Sequence, residues 1–188
     1  MQLETIYFEK KGRQNTEAVL EVVRRRAGEL GIQKIVVPST SGATGVLAAS
    51  ELSGYDVTVV THSAGYKEPG ELEVPAEEIE RIRAAGANLV TATHAFGGVG
   101  RSVRRKFDTW QAEEIIAQTL KRFGEGVKVA VEVSLMACDA GFVSSAEEII
   151  SCGGTGHGLD TALVLRPANA QDFFEIKILE LLCKPRNI

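Results

Sequence analysis

The chain has 188 residues, of which 44% are hydrophobic and 24% charged, and its formal net charge is −4 at pH 7. These values are typical of one soluble globular domain, here expected to span residues 1–188, and they argue against nucleic-acid binding as the main task. No apolar run approaches the ~18 residues of a membrane span and no secretory signal begins the chain, so we expect a cytoplasmic protein without membrane partners.

The first half of the chain alternates helices with strands. Residues 3–8 form a short apolar segment that reads as an edge strand or arm, and Asn15 or Thr16 then caps an amphipathic helix that ends at Gly31. β-branched runs at residues 35–37, 56–61 and 88–92 read as strands with helices between them. This alternation predicts a parallel α/β sheet, in which ligands bind beside the carboxyl ends of the strands.

The turn after the strand at residues 35–37 carries the clearest binding signal. Hydroxyl side chains and a glycine lead into a run of small residues, a pattern typical of a tight turn into a helix. Free backbone N–H groups at a helix start attract anions, so the turn is a candidate phosphate site. The alternative is a capped helix that binds nothing. The candidate binding residues are Ser39, Thr40, Ser41, Gly42, Ala43 and Thr44.

Two histidines follow neighbouring strands at the same predicted edge. His62 and His94 each come directly after a β-branched run, so we expect them to share a cleft with the 39–44 turn. No third ligand accompanies them, and no metal is expected. The loop after His94 adds Phe96, Gly97 and Gly98 as candidate ligand contacts, and Arg101 offers a planar guanidinium to a phosphate.

The second half contains one conflict between patterns. Apolar residues alternate along residues 127–135 as they do in a strand, yet they also fit one face of a helix that ends at Gly141. The pattern alone leaves both strand and helix open. A helix after Asp108 or Thr109 is predicted to place on its inner face Ala112, Ile115, Ile116, Thr119 and Phe123. Residues 147–152 and 160–166 read as an antiparallel hairpin, because their glycine-rich connection is too short for a crossover. Asn169 is predicted to cap a final helix whose inward residues are Phe173, Ile176, Leu179 and Leu182.

These motifs, in this order, resemble the C-terminal domain of pyruvate kinase. Residues 37–45 resemble its Thr-x-Ser-Gly-x-Ser turn, and residues 153–166 resemble its closing glycine-rich loop and strand. The chain is also similar to small free-standing archaeal proteins of this fold, with which it shares Asn15-Thr16, Ser39-Thr40-Ser41-Gly42 and Gly154-Thr155-Gly156. The resemblance implies a three-layer α/β/α sandwich with a mixed five-stranded sheet whose last strand is antiparallel. It also favours a helix at residues 127–139.

The resemblance further implies a binding site for a phosphorylated ligand. Carried over by position, the phosphate-binding turn falls on residues 39–44, and the glycine-rich loop adds Gly154, Thr155, Gly156 and His157. An arginine common in that turn is Ala43 here, so Arg101 is the candidate for the positive charge. The free-standing relatives resemble binders of flavin mononucleotide (FMN), which is the expected cofactor. The catalytic barrel of pyruvate kinase has no counterpart in these motifs, and no pyruvate kinase activity is expected.

Two other functions compete with FMN binding. One is an enzyme that uses His62, His94 or His157 as a general acid or base on a small phosphorylated metabolite, because histidine titrates near neutral pH. The other is a regulatory domain that acts through contacts in a homo-oligomer. Cys152 is a candidate reactive thiol, although a buried cysteine at a strand end is the commoner case.

Overall fold

A computed structural model of the chain describes residues 3–187, so residues 1, 2 and 188 of the predicted domain lie outside the described part. The strands are β1 (Ile6–Phe8), β2 (Lys34–Pro38), β3 (Asp56–His62), β4 (Asn88–Ala92), β5 (Ile149–Gly153), β6 (Thr161–Arg166) and β7 (Lys177–Pro185). The α-helices are α1 (Thr16–Leu30), α2 (Ala43–Glu51), α3 (Ala76–Ala84), α4 (Gly98–Phe107), α5 (Ala112–Leu120) and α6 (Glu125–Asp139), and short 3-10 helices lie at Arg13–Asn15 and Ala170–Glu175.

The described strands form one mixed sheet. Its order is β1-β7-β6-β5-β2-β3-β4, so seven strands take part where five were predicted. The parallel run β5-β2-β3-β4 and the antiparallel β5–β6 hairpin confirm the predicted core of the sheet. β1 and β7 extend the sheet beyond β6, and β1 confirms the edge strand expected in residues 3–8. Because β7 is antiparallel to β6, only β6 runs against the other strands.

The predicted final helix is wrong, because residues 177–185 form β7. Register shifts interrupt the pairing of β6 with β7 at two places, as β-bulges do. Each shift changes which side chains face the core, so the apolar residues of β7 do not alternate strictly. The resulting spacing imitates a helical stripe, although Ile178 and Leu179 are 45% and 43% exposed. Only a short 3-10 helix at Ala170–Glu175 remains of the predicted element.

Helices cover both faces of the sheet and confirm the three-layer sandwich. On one face, α1, α2 and α3 pack over a core that includes Leu20, Ile35 and Leu52. On the other face, α5 and α6 pack over a core that includes Val36, Leu135 and Leu163. No helix within residues 3–187 is long and apolar enough to cross a membrane.

Helix α6 resolves the conflict over residues 127–135. It is buried along most of its length, with Val127, Val131 and Leu135 all at 5% exposure or less. A helix that is buried on most sides carries apolar residues on most sides, so a strand-like alternation appears within its sequence. The helical prediction is confirmed.

Helix α5 differs from its predicted orientation. Ile116 packs inward as predicted, together with Ala117 and Leu120. Ile115 and Phe123 are 57% and 62% exposed, and Ala112 and Thr119 are exposed as well. Its cap is Gln111, which forms a capping box with Glu114 and replaces the predicted Asp108 or Thr109.

Candidate functional site

A cleft with a volume of about 950 Å³ lies at the carboxyl edge of the parallel strands. The ends of β2, β3 and β4 open onto it, together with the first turns of α1, α2 and α6 and the glycine-rich loop between β5 and β6. Among the predicted site residues, the cleft brings together Ser39, Thr40, Ser41, Ala43, Thr44, His62, His94, Arg101, Gly154, Gly156 and His157.

The 39–44 turn presents hydrogen-bond donors to this cleft. Ser39 is buried, and its Oγ accepts the backbone N–H of Gly45 at 3.0 Å, which caps helix α2. The next N–H, from Val46, donates to the carbonyl of Gly42 at 3.0 Å. Within the described residues, the N–H groups of Ala43 and Thr44 have no protein acceptor, so the start of α2 keeps two free donors.

Gly42 has a packing role that the sequence did not reveal. Its φ of +93° lies in the left-handed region, and a Cβ there would overlap the side chain of Glu78 on α3. The glycine therefore lets the turn pass close to α3, and its Cα faces that helix. Gly42 was predicted as a binding residue, but its close neighbours are protein side chains.

Two histidines and a tyrosine form an aromatic cluster on one wall. The ring centroids of His62 and His94 are 4.6 Å apart, which brings the ends of β3 and β4 together as the sequence predicted. Tyr66 stacks on His94 at 4.8 Å with an interplanar angle of 19°, and the Arg101 guanidinium carbon lies 5.1 Å from the Tyr66 centroid. Tyr66 was missed, because it lies in a loop without periodicity.

Helix α6 places a buried carboxylate on the floor of the cleft. Glu132 is 3% exposed; its Oε1 accepts the N–H of Phe96 at 3.2 Å, and its Oε2 lies 2.5 Å from the ammonium of Lys128. The same Oε2 is 3.6 Å from Nδ1 of His94. Sequence analysis missed Lys128 and Glu132. Their signal was a pair of opposite charges, four residues apart, inside an otherwise apolar segment.

Burial lowers the pKa of His94 to about 4. The apolar surroundings disfavour the charged imidazolium, and the positive potential of His62, Lys128 and Arg101 acts in the same direction. Glu132 opposes this shift with its negative charge but does not overcome it. His94 is therefore a neutral imidazole at pH 7.

The glycine-rich loop is held by a buried aspartate. Asp160 is fully buried, and its Oδ2 accepts the N–H groups of Gly12 at 2.9 Å and Thr155 at 3.1 Å. The N–H of Leu159 donates to Thr16 Oγ1 at 3.0 Å, which ties the loop to the start of α1. Thr155 therefore helps to hold the loop through its backbone N–H, whereas Gly154, Gly156 and His157 line the cleft.

Phe96, Gly97 and Gly98 lie outside the cleft wall. Phe96 is 8% exposed and meets Phe173 edge to face, with ring centroids 5.8 Å apart, so it belongs to the core on the α6 face. Gly97 and Gly98 begin helix α4, where Gly97 packs beside the side chains of His94 and Arg101. The sequence placed these residues in one loop, but the turn into α4 directs only Arg101 back towards the cleft.

The cysteines take no part in the cleft. Cys138, Cys152 and Cys183 are all buried and free. Burial raises the pKa of the Cys152 thiol and raises that of Cys183 to about 12, so both are protonated at neutral pH. The structure thus gives Cys152 the surroundings of a core residue.

One comparison with known proteins identifies the fold family. The family model described as "Pyruvate kinase, alpha/beta domain" matches residues 17–165, which is most of the chain. The match runs from α1 through β6 and so includes the turn, both histidines and the glycine-rich loop. The chain therefore belongs to the pyruvate kinase alpha/beta domain family.

Proposed function

We propose that the cleft binds a phosphorylated small molecule, that the phosphate lies on the 39–44 turn, and that the ligand is FMN. The observation that carries this proposal is the pair of free N–H groups at the start of α2, on Ala43 and Thr44, two residues that line the cleft together with the hydroxyl residues Ser39, Thr40 and Ser41. Helix N-termini favour anions because their free donors and the helix dipole act together.

The charges around the cleft support an anionic ligand. Arg13, Arg101, Lys121 and Lys128 line it, against Glu17, Glu125 and Glu132. Lys121 and Lys128 pair with glutamates on α6 at 3.1 and 2.5 Å. Within the described residues, Arg13 and Arg101 form no ion pair with a carboxylate and keep their charge for a ligand.

The size and chemistry of the cleft support a ligand with a planar ring. A volume of about 950 Å³ falls at the upper end of the range for small-molecule pockets, so it accommodates a mononucleotide. His62, Tyr66 and His94 would contact the ring system, and the 39–44 turn would hold the phosphate. Bound flavin supplies hydride and electron transfer.

Calorimetric titration of FMN into Ser41→Ala tests the role of the turn. Ser41 is exposed and lines the cleft, and its hydroxyl makes no hydrogen bond within the described residues. Loss of a hydrogen bond to a charged phosphate costs about 1.5–3 kcal/mol, so we expect the Kd to rise about 10- to 150-fold.

Ser53→Ala is the matched control, because Ser53 lies beyond the opposite end of α2 and should leave the Kd unchanged. Ser41→Ala with the parental Kd would contradict the assignment of the phosphate to this turn. Gly42→Val is unsuitable as a test, because its side chain would collide with Glu78 and perturb the fold itself.

A further inference from the structure

The floor of the cleft holds an ion pair that the binding of a phosphate does not explain. Glu132 and Lys128 expose 4% and 15% of their side chains, and both lie on the cleft side of α6. Burial of such a pair adds little to stability, because desolvation of both charges offsets their attraction. His94 lies beside this ion pair, and its Nδ1 is 3.6 Å from Oε2 of Glu132.

We propose that Glu132 is a positioning residue that holds His94 with its Nε2 atom as the proton acceptor for a phosphorylated ligand in the cleft. The inference rests on the proposed function for the presence of that ligand. It adds a proton-transfer centre, formed by His94, Glu132 and Lys128, to a site so far described only by the groups that would bind a phosphate.

The geometry around the imidazole favours one tautomer. The negative Oε2 of Glu132 stands on the Nδ1 side of the ring and stabilises a proton on Nδ1. The 3.6 Å separation is longer than a hydrogen bond, as is common for catalytic contacts in ligand-free enzymes. Among the described residues Nε2 has no hydrogen-bond partner, and His94 lines the cleft, so Nε2 is the nitrogen that remains for a ligand.

The charged groups around His94 keep the ring neutral before it reacts. His62 and Tyr66 pack on it from β3 and the following loop, Arg101 from α4, and Lys128 and Glu132 from α6. Burial is the main cause of the lowered pKa of His94, which is about 4; Glu132 opposes the shift, and His62, Lys128 and Arg101 add to it. A neutral imidazole at pH 7 has its Nε2 lone pair free, and because its pKa is low, it takes up only a ligand proton that is itself acidic.

The proposed step is a proton transfer without a further reactant. A bond from hydrogen to oxygen, nitrogen or an acidic carbon of the ligand breaks, and its electron pair stays on the ligand. Nε2 of His94 gains the proton, and the new imidazolium is paired by the carboxylate of Glu132. The matching ligand class is a phosphorylated compound with one dissociable proton near its ring or carbonyl group.

The second histidine–glutamate pair of the cleft provides an internal control. His62 Nδ1 contacts Glu73 Oε2, and their side chains are 22% and 21% exposed. Glu73 comes from the loop before α3 and does not contact His94. Glu73→Gln and Glu132→Gln are therefore chemically identical changes that act on different histidines.

The tautomer of His94 is measured by NMR on the ligand-free protein with ¹⁵N-labelled histidine at pH 7. We expect Nδ1 to be protonated and Nε2 unprotonated in the parent and in Glu73→Gln. Glu132→Gln should lose this preference and show a mixture of the two tautomers. Lys128→Met should raise the pKa of His94 above about 4, because the ammonium lowers it, and Glu132→Gln should lower it further.

A parent in which Nε2 carries the proton would overturn the proposal, and so would Glu132→Gln with the parental tautomer. If the single variants fail to fold, the double variant Lys128→Met/Glu132→Gln leaves no unpaired buried charge and should show the same tautomer mixture. Binding of inorganic phosphate is titrated in the same samples. Its absence would count against the proposed function, whereas the tautomer decides the role of Glu132 by itself.

Discussion

His94 should make the stability of the fold depend on pH. Its pKa is lowered from 6.5 to about 4, so the unfolded chain binds more protons than the folded one between these values. The stabilisation is therefore complete above pH 6.5 and is lost as the pH falls towards 4. The contribution of His94 to the free energy of unfolding, measured with urea, should fall by about 2 kcal/mol between pH 7 and pH 5.

His94→Asn removes this contribution. The loss of stability from pH 7 to pH 5 should be about 2 kcal/mol smaller in His94→Asn than in the parent, whatever the variant's absolute stability. His157→Asn, which removes a histidine from the exposed glycine-rich loop, is the control and should keep the parental difference. An equal pH dependence in His94→Asn and the parent would show that His94 is not buried as described.

At the residue scale, the sequence predicted part of the cleft for a clear physical reason. His62 and His94 end neighbouring parallel strands, and strand ends meet at one edge, so their proximity followed from topology alone. Glu132 and Lys128 could not be placed in the same way. Their position depends on the rotation of α6, and the pattern of residues 127–135 did not even separate helix from strand.

The packing of α6 against β5 depends on Gly153. A Cβ on Gly153 would overlap the carbonyl oxygen of Gly126, so the helix start and the strand end meet backbone to backbone. Gly153→Ala should force them apart and lower the free energy of unfolding by about 3 kcal/mol. In thermal unfolding, this corresponds to a Tm lower by roughly 10 °C.

Gly28→Ala is the matched control for this substitution. Gly28 lies within α1, where a Cβ would meet only the Tyr55 hydroxyl at an ordinary 3.8 Å. Alanine there should raise the free energy of unfolding by about 0.5–1 kcal/mol, because it stabilises a helix interior. If Gly153→Ala were as stable as the parent, the close contact of α6 with β5 would be disproved.

Asp160 is expected to order the glycine-rich loop. Its Oδ2 accepts two N–H groups from separate segments, and its Oδ1 accepts the Thr161 hydroxyl at 2.9 Å. Asp160→Asn replaces a charged acceptor by a neutral one and should speed amide hydrogen exchange at Gly12 and Thr155. Asp172→Asn, at an exposed position outside the glycine-rich loop, should leave that exchange unchanged. Equal protection in both variants would contradict the anchoring role.

At the element scale, the sequence predictions failed where periodicity was broken by tertiary structure. The bulges between β6 and β7 gave a strand the spacing of a helix, and the position of α5 at the rim of the core left Ile115 and Phe123 exposed. The elements between β2 and β4 were predicted well, because their apolar runs are short, uniform and bounded by glycines.

At the scale of the whole molecule, the topology brings several anion-binding groups from separate elements to one place. The parallel strands β2, β3 and β4 direct their carboxyl ends to one edge, and the helices that follow or precede them present their first turns there. The starts of α1, α2 and α6 all line the same cleft, so three positive helix ends converge on it. This convergence is the reason that we propose an anionic ligand for a protein whose net charge is −4.

A comparison of FMN with riboflavin measures how much the phosphate contributes to binding in the cleft. The two compounds share the ring system and differ only in the phosphate, so the difference in their affinities measures the anchoring at the 39–44 turn. Titration of the parent protein, followed by flavin fluorescence, should show saturable binding of FMN and an affinity for riboflavin at least about 10-fold weaker, as expected for loss of a charged hydrogen-bonded group. Equal affinities, or no binding of FMN, would contradict the account.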